Sequence, residues 1–139
     1  MKKYIYIAIG GFLGAAVRLF IKNIKLPMVF GITGNILMIN VIGSFVLSLF
    51  LFLTLYKWKI SEELKSGVSG GFIGAFTTFS TFCKEAVFYI NKNEIFKFIA
   101  YTFSSILLGL AAAWLGYSLA KYIENRSNNS IEESGEDVV

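Results

Sequence analysis

Within a largely apolar chain, a few side chains stand where chemistry can be done: an amide at Asn40, hydroxyls at Ser44, Thr78, Ser80 and Thr81, and rings at Phe79 and Phe82. Asn40, Gly43 and Ser44 fall at i, i+3 and i+4, so one helix face carries an amide, a gap and a hydroxyl inside an uncharged run. Hydrogen bonding to a neighbouring helix would use such an amide equally well. The stretch Ser69 to Cys83, SGGFIGAFTTFSTFC, reads poorly as a plain helix. Gly70, Gly71 and Gly74 are weak helix formers, and Thr77, Thr78 and Thr81 are β-branched. A helix interrupted in hydrocarbon leaves backbone N–H and C=O groups unpaired at several kcal/mol each, so it survives only where protein, water or an ion meets them. Past the break, Phe79 and Phe82 share a helix face, and Thr78 and Thr81 repeat the spacing one residue earlier. Close helix packing through the glycines, with the rings in lipid, is the competing account of the same residues.

The elements that must position these groups are membrane helices. Of 139 residues, 55% are hydrophobic and 16% charged, with mean hydropathy +0.64, and the uncharged runs are too long for a soluble domain of this size. Leu26 to Tyr56, Ser66 to Cys83 and Phe98 to Ala120 contain no Asp, Glu, Lys or Arg. Each holds at least the roughly 18 residues a span requires. A fourth span, Tyr4 to Ile21, is interrupted only by Arg18, which can snorkel to the interface. Met1-Lys2-Lys3 ahead of an apolar run, with Ala15 and Ala16 behind it, also resembles a signal peptide. The Gly10, Gly11, Gly14 spacing and the further spans favour a retained, packed helix.

The reading is an all-α integral membrane protein with spans at about Tyr4 to Ile21, Ile32 to Tyr56, Ser66 to Ile90 (broken) and Phe96 to Tyr122. Pro27 fits the turn between the first two, and Tyr101, Thr102, Ser104 and Ser105 put hydroxyls in the first turns of the last. Residues 1–124 form the membrane domain, and 125–139, NRSNNSIEESGEDVV, form a polar acidic tail expected to be disordered. So small a bundle can hardly surround a pathway, and an oligomer is expected. With one cysteine, Cys83, and no histidine, an intrachain disulfide, a His base and a Cys/His metal site are excluded. The net charge of +4 is scattered, which gives nucleic-acid binding no support. The available nucleophiles have no evident base, so an enzyme is not expected.

Three segments taken together, GGFLGAAVR at Gly10 to Arg18, GNILMINVIGSF at Gly34 to Phe45 and GGFIGAFTTFSTF at Gly70 to Phe82, closely resemble the motifs of the CrcB, or Fluc, fluoride channel family. The resemblance covers about residues 4 to 122. It implies passive, fluoride-selective export across the cell membrane of a bacterium, an antiparallel dual-topology homodimer, two pores at its interface and a sodium ion on the two-fold axis. Under it, Asn40 donates its amide to fluoride and Phe79 and Phe82 line the pores. Thr78, Ser80, Thr81, Tyr101 and Ser105 supply hydroxyl contacts, and Arg18 stands near a vestibule. The backbone carbonyls of Gly74 and Thr77 bind the sodium. Ring edges are the positive part of an aromatic quadrupole, which suits a phenylalanine-lined anion route.

The rival is a small four-helix proton-coupled multidrug exporter. That mechanism needs an intramembrane carboxylate, and only Glu85 is available. Basic loop residues count seven on the side of the termini (Lys2, Lys3, Lys57, Lys59, Lys65, Lys121, Arg126) against four (Lys22, Lys25, Lys92, Lys97) on the other. This modest bias bears on whether the partner is an identical chain inserted both ways or a related chain of opposite bias.

Overall fold

A computed structural model describes residues 1–24 and 34–136, with side chains through Ser127. The expected turn at Pro27 and the start of the second span lie outside the described residues. The described chain is helical throughout: α1 (Lys2–Asn23), α2 (Gly34–Tyr56), α3 (Glu62–Ser66), a π-helical segment (Gly67–Ile73), α4 (Gly74–Phe76), α5 (Phe79–Asn91) and α6 (Ile95–Glu136). α1, α2 and the 95–127 part of α6 are each long and apolar enough to cross a membrane. The remaining rod is assembled from residues 62–76 and α5, with the gap at Thr77 and Thr78.

Two seams of small residues hold the rods. α1 runs alongside residues 62–76 so closely that a Cβ at Gly10 would strike the carbonyl oxygen of Gly67, and one at Gly14 that of Phe72. From the other side, a Cβ at Gly71 would lie 2.7 Å from the Ile7 carbonyl oxygen and one at Gly67 2.9 Å from that of Tyr6. Such contact lets dispersion operate between backbones where lipid tails would otherwise compete equally for apolar side chains. Gly11 is not part of this seam, since its Cβ position meets nothing within 4 Å. The second seam joins α2 to α6. Ala112, Gly116 and Ala120 repeat every four residues and are buried, and a Cβ at Gly116 would meet the Phe45 carbonyl oxygen.

The glycines expected to break the third span are therefore helical. A glycine costs a helix about 1 kcal/mol, whereas unpaired backbone in hydrocarbon costs several, so the helix persists through Gly70, Gly71 and Gly74. The break falls at the threonine end of the expected stretch, just ahead of Phe79, where Thr77 (ψ 158°) and Thr78 (ψ 114°) turn extended.

The interior has two small clusters, Ile36, Ile39 and Phe76, and Ala86, Tyr89 and Tyr101, with Phe82 packed against both. Elsewhere the apolar surface faces outward: Tyr4, Phe12 and Phe20 are each more than 70% exposed. On α1, a surface of that kind is stable only in lipid, and this is a membrane protein. α6 departs from the expected end near Tyr122 and the expected disordered tail, because helical backbone continues to Glu136. At about 1.5 Å per residue the helix is roughly twice as long as a 30 Å hydrocarbon core, so its polar end projects beyond the membrane. No proline interrupts this segment, and propagating an existing helix avoids the nucleation cost.

Candidate functional site

Continuing a helix past Phe76 would pair the Thr78 N–H with the Gly74 carbonyl. Asn40, reaching from α2, takes that place: the Thr78 N–H donates to its Oδ1 at 2.9 Å, and its Nδ2 donates to the Thr78 carbonyl at 3.2 Å. The side-chain amide thus pairs with the main chain as another peptide group would, meeting the Thr78 N–H that the break frees and adding a second bond to the carbonyl that starts α5. Gly43, one turn on, provides the space, since a Cβ there would collide with the Thr77 methyl.

The downstream helix is capped locally. Thr78 Oγ1 accepts from the Thr81 N–H at 3.2 Å and donates to Thr81 Oγ1 at 3.0 Å, and it lies 3.3 Å from Ser80 Oγ. Because Thr81 accepts that bond, its own hydroxyl hydrogen is left to donate elsewhere. Upstream, the Thr77 hydroxyl donates to the Ile73 carbonyl at 3.0 Å and reaches the Gly74 carbonyl only at 3.5 Å. The Gly74 oxygen has therefore lost its strong helical partner and stands on an exposed residue. The negative end of one helix and the positive end of the next meet here, with oxygens for a cation on one side and N–H and O–H donors for an anion on the other.

Asn40, Gly43, Ser44, Leu47, Thr77, Thr78 and Phe79 line a pocket of about 270 Å³ that opens on the protein surface. Phe79 stands at its mouth, 77% exposed. From it the aromatic groups continue inward. Phe79 and Phe82 have centroids 5.8 Å apart, Phe82 and Tyr101 5.2 Å, and Tyr101 and Tyr89 5.8 Å. Tyr101, fully buried, donates its hydroxyl to Glu85 Oε2 at 2.8 Å.

Of the residues singled out from sequence, Asn40, Thr77, Thr78, Phe79, Ser80 and Thr81 meet at the break, and Phe82 and Tyr101 extend it. Ser105 is one turn from Tyr101 and donates its hydroxyl to the Tyr101 carbonyl at 2.7 Å, so its proton is held within its own helix. Arg18 is partly buried on α1, outside the pocket lining. Two further roles were not read from sequence. Tyr101 is the partner of Glu85, a pairing that spans 16 residues. Asn35 clamps the end of α1, its Nδ2 within 3.1 Å, 3.2 Å and 2.7 Å of the carbonyl oxygens of Ile21, Lys22 and Ile24. The polar residue following the first glycine of α2 was the available signal for that clamp.

Fold and site together define a small helical membrane protein with a polar, ion-compatible cleft at an intramembrane helix break. The chain belongs to the CrcB family: the model described as CrcB-like protein, Camphor Resistance (CrcB), matches residues 5–117. It is 35% identical over 133 residues to the fluoride-specific ion channel FluC 2 of Carboxydothermus hydrogenoformans, covering 94% of this chain and 98% of that one. It is 38% identical over 117 residues to the fluoride-specific ion channel FluC of Hydrogenovibrio crunogenus (81% and 86% covered). With the protein of that name from Campylobacter jejuni, strain 81116, it shares 37% identity over 116 residues (83% and 94% covered).

Proposed function

We propose that the protein is a fluoride-selective channel of the plasma membrane that lets fluoride leave the cell passively, working as an antiparallel, dual-topology homodimer. The channel activity follows from family membership and from the relatives' shared name. The observation that carries the structural reading is the cleft at Thr77 and Thr78, where an amide, hydroxyls and a ring gather on an open face. One copy half-builds such a site. A second copy inserted the other way encloses it.

Asn40 serves two purposes in this reading. One Nδ2 hydrogen is spent on the Thr78 carbonyl, and the other is free to donate to fluoride. The Thr81 hydroxyl and the ring edges of Phe79 and Phe82 add donors and positive potential without fixed charge, so the ion is stabilised yet able to leave. The donor set on the other side of the break fits a hard monovalent cation: the carbonyls of Gly74 and Thr77 would hold a structural sodium at the dimer axis. Bound there, it would supply positive charge against the carbonyls of Gly74 and Thr77 in both copies. Ser80 extends the hydroxyl cluster, while Tyr101 and Ser105 continue the polar side of α6, and Arg18 stands by a vestibule. No catalytic group is assigned. A proton-coupled exporter would need a carboxylate that exchanges protons with its substrate, and Glu85 is instead held by the Tyr101 hydroxyl.

Purified protein in liposomes with a counter-ion shunt and no proton gradient should release fluoride. Efflux that requires a proton gradient contradicts passive conduction. C-terminal reporter fusions should be found on both sides of the membrane in the same cells; a single orientation for nearly all copies replaces the homodimer with a pair of related chains.

A further inference from the structure

Remote from the break, the end of α2 and the 122–127 stretch of α6 border a second recess. Lys57, Tyr122, Ile123, Arg126 and Ser127 line a pocket of about 330 Å³, open toward the surroundings. Its depth in the membrane is fixed by sequence. The apolar run of α2 ends at Tyr56, where the chain turns with the Lys57 and Trp58 N–H groups both on the Leu53 carbonyl, at 2.9 Å and 2.6 Å. On α6 the uncharged run stops at Ala120. Trp58 and Tyr122 are 46% and 62% exposed and flank this level, the distribution of aromatic residues at a headgroup boundary. The pocket therefore lies where lipid phosphates lie. Its polar groups are two cations and two hydroxyls, with no carboxylate among the lining residues, although Glu124 lies on the same helix between Tyr122 and Arg126. Arg126 already makes another contact, but a guanidinium with five donors can add a phosphate.

We propose that this pocket binds the phosphate headgroup of an anionic phospholipid, with Lys57 and Arg126 as its charges and Tyr122 and Ser127 as hydroxyl donors. The acyl chains run down the exposed apolar surface of α6. The site is separate from the conducting cleft, and its occupancy ties the end of α2 to the helical extension of α6. Arg126 and Ser127 thus act at the membrane surface rather than in a free tail.

The test uses full-length protein in detergent, titrated with dioleoylphosphatidylglycerol, dioleoylphosphatidylcholine or inorganic phosphate, with bound species counted by native mass spectrometry. The phosphatidylglycerol should bind in preference to phosphatidylcholine. Replacing both charges (Lys57→Gln with Arg126→Gln) should weaken it roughly 25-fold, about fivefold for each basic residue. The charge-keeping pair Lys57→Arg with Arg126→Lys should retain most of the binding, and Lys59→Gln, outside the pocket, should retain it fully. Fluoride efflux should be unchanged in all of them, which reports that they fold. Equal binding of both lipids overturns the proposal, as does phosphatidylglycerol binding that survives loss of both charges. Inorganic phosphate at millimolar concentration displacing the lipid completely would assign the site to free phosphate and overturn the lipid assignment.

Discussion

The glycine seam and the threonine break lie within a dozen residues of each other on the same span, contain comparably poor helix formers, and have opposite fates. Between Gly67 and Gly74 the backbone stays helical although glycine disfavours it, because α1 packs against its atoms. At Thr77 and Thr78 the helix opens although the local propensity is no worse, because Asn40 offers an acceptor to the freed Thr78 N–H and braces the Thr78 carbonyl. In a membrane, then, a helix breaks where a replacement partner stands, rather than where propensity is lowest. The seam uses missing side chains to fix position; the break uses one polar side chain to expose oxygens and donors.

The largest effect should come from filling the seam. In Gly14→Ile the new side chain starts on the Phe72 carbonyl, and the rigid backbone opposite cannot give way. Overpacking of about 1–3 kcal/mol or more is expected, with little folded protein recovered by size exclusion. Gly11→Ala, one turn round the same helix and facing open space, should behave as the parent. Equal recovery for both variants would show that the seam is not tight.

Next in size is the splint. Asn40→Ala leaves the Thr78 N–H without its acceptor, at a cost of about 1–3 kcal/mol, and removes a second bond from the Thr78 carbonyl, which should lower the melting temperature and abolish fluoride flux. Asn40→Asp keeps an acceptor for the Thr78 N–H and removes the donor. It should stay closer to the parent in stability while still losing flux. If the alanine variant melts with the parent, Asn40 does not hold the break.

A smaller change is expected from Tyr101→Phe, which preserves the ring stack on Phe82 and removes only the bond to Glu85. A net hydrogen bond contributes about 0.5–1.5 kcal/mol, and a double-mutant cycle with Glu85→Ala should return a coupling of that order. Additive single effects would show the pair to be uncoupled. Least of all should follow from removing residues 128–139, which leaves the basic pocket whole: flux and dimer elution should match those of the full chain.

The rods themselves were legible in the sequence, since uncharged runs of membrane-spanning length admit few other structures. That Asn40, Thr78 and Thr81 must find partners was legible too, from polar side chains set in an uncharged run. Their pairings were not. Propensity placed the break only somewhere in the glycines and threonines ahead of Phe79, whereas its position at Thr77 and Thr78 depends on Asn40, 38 residues away from Thr78 and on another helix. The clamp made by Asn35 and the bond between Tyr101 and Glu85 are likewise tertiary facts. Composition identified a polar segment after Glu124, but it could not show that an established helix would carry on through it.

The central claim, that the Asn40-held break builds a passive route for fluoride, is met most directly by efflux from liposomes. The parent and Asn40→Asp would be reconstituted side by side, with fluoride and chloride recorded in the same vesicles and no proton gradient. Rapid fluoride release by the parent is predicted, with chloride retained and fluoride release lost in an Asn40→Asp variant that still elutes as a dimer. Chloride release as fast as fluoride, or a variant that conducts like the parent, would contradict it.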